Sequence, residues 1–184
     1  MEIIDNFLDK AISDDLEQTL SGSDFPWYYS DFTTHSKQYT TDKTRDCSQF
    51  THVFFLHDNI NSGYYPLIQP IIEASGRSTE KLVRAKANLI YRHSDWPVGV
   101  YNLPHADHTK EVDAESLLYY VNDSDGCTVI FEEKEPINKH ELTIKQKIKP
   151  MRNRLIAFDS MLLHASTPPS SHELRMVINL VFTK

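Results

Sequence analysis

The chain has 184 residues, of which 40% are apolar and 11% aromatic, enough for one domain with a real core and too few for two of ordinary size. Its formal charge is -7 with no dense run of Lys or Arg, which argues against the basic stripe of a nucleic-acid binder and against a role on an anionic membrane surface. Cys47 and Cys127 are too few and too far apart for a disulfide framework or a zinc knuckle, so both are expected to pack as small apolar groups in a reducing cytosol.

The N-terminal stretch MEIIDNFLDK is acidic where a signal peptide is basic. No apolar run reaches the ~18 residues of a membrane span, so a soluble, cytoplasmic protein is expected. Ile4, Phe7, Leu8, Ile12, Leu16 and Leu20 recur at three- and four-residue spacing, predicting one or two amphipathic helices over 5–21 that end at Gly22. Residues 24–58 include the aromatic and polar tract DFPWYYSDFTTHSKQYTT and read as extended strand and loop, either packed under the core or lining a groove. A second helix is expected over 63–74, with Leu67, Ile68, Ile71 and Ile72 on one side, Pro66 and Pro70 near its start and Gly76 as its stop.

From Lys81 onward the pattern changes. LVRAKANLIY, SLLYYVN, TVIFEE, LTIKQKIK, RLIAFDS and LRMVINLVF are short runs rich in β-branched and aromatic residues, separated by turn-forming clusters. NDSDG at 122–126 predicts a hairpin, because Asp-Gly tolerates the positive φ of tight turns. The expected fold is mainly β with flanking helices: a jelly-roll core, or double-stranded β-helix, over 81–184, with the helical and extended part at 1–80 buttressing one sheet. The whole of 1–184 is expected to be one domain.

Two His-x-Asp pairs occur, His93-Ser-Asp95 and His105-Ala-Asp107. On a strand, residues i and i+2 share a face, so one metal can meet both side chains while the middle residue points away. His93 precedes the turn-like DWPVG and reads as a surface loop residue. His105 follows VYNL and leads toward the apolar SLLYYVN, which makes it the better candidate, and the neighbouring His108 is expected to face solvent. His164, in RLIAFDSMLLHAS, reads alone as a hydrogen-bonded core histidine. Two imidazoles and a carboxylate on one face make the non-haem Fe(II) arrangement, with three positions left open for small molecules; the same set accepts manganese, cobalt or zinc.

Arg175 changes the weight of His164. In ELRMVINLVF, alternation sets Arg175, Val177 and Asn179 on one face and Met176, Ile178 and Leu180 on the other. A guanidinium in so apolar a strand needs a partner. That partner is either an internal acid such as Glu173 or Asp159, or a dicarboxylate such as 2-oxoglutarate, gripped at roughly 1.5–3 kcal/mol per charge-assisted hydrogen bond.

Residues ANLIYR, VYNLPHADH, SLLYYVNDSDGCTVIFEE, NRLIAFDSMLLHAS and ELRMVINLVF, in that order over about 85–182, resemble the iron(II)/2-oxoglutarate-dependent oxygenases, in their prolyl 4-hydroxylase-like branch. The resemblance implies His105, Asp107 and His164 as iron ligands and catalytic centre, and Arg175 with Tyr120 at the far carboxylate of 2-oxoglutarate. It sets Tyr91 where a family tyrosine approaches the co-substrate; read from the sequence alone, Tyr91 is equally a core aromatic. The implied activity is a 2-oxoglutarate-dependent dioxygenase that hydroxylates a peptidyl or amino-acid side chain, using Fe(II), 2-oxoglutarate and O2, with ascorbate as an optional reductant.

There are departures from the family pattern. Gly126-Cys127-Thr128 stands where many relatives have Gly-Gly-Thr, and Arg175 stands where collagen-type prolyl hydroxylases carry Lys. Residues 1–80 match nothing recognisable. The alternatives are a cupin-type metal-binding isomerase or sensor, an AlkB-like nucleic-acid demethylase, opposed by the charge, and a jelly roll without a site. A protein or peptide side chain is the expected substrate; nucleic acid and membrane are not expected partners.

Overall fold

The computed structural model describes residues 1–34, 39–107, 113–137 and 141–184. In chain order they form β1 (Glu2–Ile4), α1 (Lys10–Ser21), β2 (Tyr28–Ser30), β3 (Gln49–Leu56), β4 (Asn59–Ile60), a 3-10 turn (Tyr65–Ile68) running into α2 (Gln69–Ser75), and a 3-10 turn (Thr79–Lys81). There follow β5 (Leu82–Tyr91), β6 (Ala114–Tyr120), β7 (Thr128–Lys134), β8 (Ile144–Ile148), β9 (Arg154–Asp159), β10 (Leu162–Ser166) and β11 (Leu174–Thr183). Among the described residues no helix is long and apolar enough to cross a membrane.

An eight-stranded sheet runs β1-β9-β6-β11-β5-β3-β2 with β4 on β3, and a three-stranded sheet runs β10-β7-β8. Alternation divides the strands' side chains between two cores. Ala85, Ala87 and Leu89 of β5, Tyr119 of β6 and Met176, Ile178 and Leu180 of β11 pack with Leu16, Leu20, Ile68, Ile71 and Ile72 of the helical segments. From the opposite face Leu118, Tyr120, Ile156 and Val177 meet Ile130, Ile148 and Leu162 of the small sheet, closing the interior of a jelly roll. The expected jelly-roll core with helices on one sheet is what the chain forms. β11, paired with β5 and β6, is buried on both faces, which explains why its buried residues are apolar except at Arg175 and Asn179.

The first 80 residues add strands as well as helices. The helix expected over 5–21 begins at Lys10, and Glu2–Ile4 instead pairs with β9. Between them, Asn153 bonds the chain through its side chain, donating to the Leu8 carbonyl at 2.7 Å and accepting from the Leu8 amide at 2.8 Å. Leu16 and Leu20, one turn apart, bury the helix face. The helix expected over 63–74 is a 3-10 turn at Tyr65–Ile68 followed by α2 at Gln69–Ser75, and Gly76 ends it as expected at φ 68, a left-handed cap that glycine adopts without strain. Both readings of 24–58 are realised: Phe25 is buried among aromatic rings, while Thr33 and Gln49 line the interior cavity. Of this tract, residues 35–38 lie outside the described residues, as does His108.

The hairpin expected at 122–126 is not formed. β6 lies in the large sheet and β7 in the small one, so NDSDG carries the chain from one sheet to the other. Gly126 is not at positive φ; a Cβ there would lie 2.6 Å from the Thr167 carbonyl oxygen and 2.8 Å from the Pro168 and Pro169 backbone. The glycine serves a close approach of two segments of the chain. Asp125 secures the same approach, accepting from the amides of Ser170, Ser171 and His172 and from both serine hydroxyls.

Burial opposes ionisation of Asp125, but the Ser170 hydroxyl and the three amides outweigh it and hold the carboxyl well below its usual range. A depressed folded pKa gives stability that is present above the unfolded value, about 3.9, and is lost as pH falls below it. Asp125→Ala is expected to lower stability by about 1–3 kcal/mol at neutral pH. Denaturant titrations should show the gap between wild type and variant narrowing below about pH 4.

Candidate metal centre

Between β5 and β6 the chain re-enters the barrel mouth beside β10. His105 donates its amide to the His164 carbonyl at 3.0 Å and accepts from the His164 amide at 2.9 Å; the Asp107 amide reaches Ser160 O at 3.0 Å. The pair expected on a strand thus lies on an isolated bridge to β10. The two-residue period survives: His105 and Asp107 line the cavity, while Ala106 packs against the outer cluster of Tyr101 and Phe131.

His105, Asp107 and His164 bring one ligand atom each within 4.8 Å of one another. His164 Nε2 lies 3.6 Å from Asp107 Oδ2. The Nδ1 atoms of His105 and His164 face the carbonyls of Leu103, at 3.4 Å, and Leu162, at 3.1 Å. A carbonyl only accepts, so each Nδ1 carries the proton and each Nε2 is left with a bare lone pair. Burial, then repulsion from His164, pushes the His105 pKa down to about 3, keeping that ring neutral.

Asp107 is held from three strands. Its carboxylate accepts from Arg84 of β5 at 2.5 Å, Ser116 of β6 at 2.7 Å and Asn179 of β11 at 2.9 Å, and Arg84 also donates to Asn179 at 3.0 Å. Burial opposes its ionisation, but the Arg84 guanidinium and the hydrogen bond from Asn179 work against this, and the carboxyl is held well below the usual carboxylate range. Two neutral imidazoles and one ionised carboxylate, with unprotonated atoms converging, form a donor set that fits Fe(II).

The centre opens into a compact cavity that His105, Asp107 and His164 line together with Arg175. Arg175 lines its far end and is only 3% exposed. Its Nε donates to Gly126 O at 3.0 Å and its Nη2 to Thr128 Oγ1 at 2.8 Å; the Tyr120 hydroxyl donates to the same Thr128 oxygen at 2.8 Å. Among the described residues no carboxylate pairs with Arg175. Glu173 pairs with Arg92 and Asp159 with Lys134, so the internal salt bridge weighed above is not formed.

Tyr91 is not brought to the cavity. It is 53% exposed at the end of β5 and packs edge-to-face on Phe50 at 5.6 Å, while Ile90 points inward. His93 packs on Trp96 in a turn, apart from the centre. Arg84, Lys86, Asn88, Ser116 and Gln49 belong to the site without standing out as candidates in the sequence. For three of them a signal was present: in LVRAKANLIY, Arg84, Lys86 and Asn88 alternate with the core residues Ala85, Ala87 and Leu89.

Residues 81–183 match the 2OG-Fe(II) oxygenase superfamily, and the chain belongs to that family. It is a 2-oxoglutarate-dependent dioxygenase, of a family that uses Fe(II), 2-oxoglutarate and O2. A prolyl hydroxylase from Trichoplax adhaerens, in complex with a hypoxia inducible factor oxygen degradation domain peptide fragment, aligns with 99% of this chain and 82% of its own at TM-score 0.61 and 16% identity. The epimerase SnoN from nogalamycin biosynthesis aligns over 99% and 76% at TM-score 0.62 and 10% identity. A Pseudomonas putida prolyl-4-hydroxylase aligns over 100% and 92% at TM-score 0.53 and 12% identity. These likenesses show a shared fold. No curated protein matches by sequence.

Asn179→Ala removes one of the three groups that orient Asp107. It is expected to weaken Fe(II) binding about ten- to hundredfold, read by anaerobic calorimetry, with the circular dichroism spectrum unchanged.

Proposed function

We propose that the protein hydroxylates a C–H bond of a peptidyl or amino-acid side chain, with His105, Asp107 and His164 as iron ligands and Arg175 as the anchor of 2-oxoglutarate. The observation that carries this reading is a buried guanidinium with no acid partner among the described residues, facing the same cavity as two bare imidazole nitrogens and a carboxylate. In the overall reaction one oxygen atom of O2 enters the substrate C–H bond. The other enters 2-oxoglutarate, which leaves as succinate and carbon dioxide.

Fe(II) with bound 2-oxoglutarate supplies the oxygen activation; the chain's own residues supply position and charge. His105 and His164 offer Nε2 because their Nδ1 protons are engaged by Leu103 and Leu162. Arg84, Ser116 and Asn179 keep Asp107 ionised and fixed in direction. Arg175 and the Thr128 hydroxyl present donors to the distal carboxylate, and Tyr120 orients Thr128 through its own hydroxyl. Leu118, Ile90 and Val177 line the cavity with apolar surface that limits water.

Hydroxylation is favoured over other outcomes of this chemistry by the presence of Asp107, the ligand that related halogenases give up for chloride. The peptide in the Trichoplax complex supports a peptidyl substrate, and the SnoN epimerase has the same fold, so the oxygen balance is the deciding measurement.

Anaerobic titration with Fe(II) and then 2-oxoglutarate should produce the weak visible charge-transfer band of a chelated 2-oxo acid. The band should be lost in His105→Ala, and 2-oxoglutarate should bind at least about tenfold more weakly in Arg175→Ala. Turnover of a peptide pool under 18O2 should then place label in both succinate and a peptide. No band at saturating 2-oxoglutarate contradicts the site, and label in succinate alone contradicts hydroxylation.

A further inference from the structure

One cation in the cavity is used by neither the metal centre nor the proposed co-substrate grip. Lys86 lies on β5 opposite Asn179 of β11, level with Asp107, and lines the cavity. Among the described residues its ammonium makes no hydrogen bond or ion pair. The nearby carboxylate of Asp107 is already committed to Arg84, Ser116 and Asn179. An unpaired ammonium in a partly buried position is costly, and such groups persist where a ligand supplies the opposite charge.

The charge balance of the loaded site points the same way. The two positive charges of Fe(II) and that of Arg175 are cancelled by Asp107 and the two carboxylates of 2-oxoglutarate. Arg84 and Lys86 remain as a surplus of two positive charges, and among the described residues no further acid lines the cavity. This surplus sits inside a protein whose net charge is -7.

Lys86 is badly placed to help Arg175 with the distal carboxylate. Arg175 stands opposite Ile90, four residues along β5, a separation of about 13 Å along the strand. Beside Lys86, on the same face, Asn88 donates one N–H to Gln49 Oε1 at 2.8 Å. Gln49 is itself fixed by the carbonyls of Phe32 and Thr33 at 3.0 and 3.1 Å. This leaves the second N–H of Asn88 for a ligand. One compact ammonium and one amide donor, two residues apart on a strand, suit the two oxygens of a carboxylate better than a phosphate, which calls for more donors.

We infer that Lys86, with Asn88 held by Gln49, is the subsite for a carboxylate on the primary substrate, so that the enzyme selects an anionic molecule or segment. This rests on the oxygenase reading above and names the substrate class for it. The carboxylate belongs to either a main-chain terminus or an acidic side chain, and two probe pairs separate these. N-acetyl-L-proline and N-acetyl-L-prolinamide differ in a main-chain carboxylate. N-acetyl-L-aspartic acid α-amide and N-acetyl-L-asparagine α-amide differ in a side-chain one.

Binding of each probe to the anaerobic protein saturated with Fe(II) and 2-oxoglutarate is measured by calorimetry. In one of the pairs the acid should bind at least about tenfold more tightly than its amide, and that pair identifies the source. Lys86→Met should remove the preference and Lys86→Arg should retain it, which separates lost charge from lost fold. The inference is overturned if neither acid is preferred, if the preference survives in Lys86→Met, or if Lys86→Met weakens 2-oxoglutarate itself tenfold. A wild-type protein with no charge-transfer band overturns the oxygenase site and this subsite with it. A normal band without an acid preference overturns the subsite alone.

Discussion

Two backbone hydrogen bonds between His105 and His164 hold the centre together. They tie a segment that belongs to neither sheet onto β10, and so bring two imidazoles far apart in sequence to a ring separation of 4.5 Å. Each such bond is worth only about 1 kcal/mol net, so the placement depends on how firmly β10 is held. Leu163 and Ala165 are buried in the outer cluster, Leu162 turns into the interior, and β7 pairs along the strand. The site inherits its rigidity from two cores that meet at one strand.

The second constraint is electrostatic. Asp107 is a buried carboxylate, and removing it from water without compensation would be far too costly. Its partners come from the three adjacent strands β5, β6 and β11, whose register sets Arg84 and Ser116 on either side of Val181. Asn179 follows two residues away on the same face as Arg175. A single sheet face therefore carries the support for the metal centre at one end and the lone guanidinium at the other. Helices pack against the reverse face and leave this one free for chemistry.

Much of this was legible in the sequence because it rests on period-two alternation. Arg175, Val177 and Asn179 read directly as one face of β11, and His105 with Asp107 as one side of an extended segment. Arg84, Lys86 and Asn88 stand out in RAKAN only once their neighbours Ala85, Ala87 and Leu89 are seen as core. Tyr91 is one position off that register, so its side chain falls on the outer face and Ile90 takes the inner place. Other features leave no local trace. A three-residue strand such as Glu2–Ile4 is too short for a periodic signal. Nothing in NDSDG tells whether its flanking strands pair with each other or with different sheets. Gly126 looks like a turn glycine, and its reason is the Thr167–Pro169 backbone lying against it.

The most direct test is diffraction at the iron absorption edge from crystals grown anaerobically with Fe(II) and 2-oxoglutarate. The account predicts one anomalous peak bounded by Nε2 of His105, Nε2 of His164 and the carboxylate of Asp107. Density for a dicarboxylate should extend from it to the Arg175 guanidinium. An iron peak elsewhere, or an iron peak here with the dicarboxylate turned away from Arg175, would contradict it.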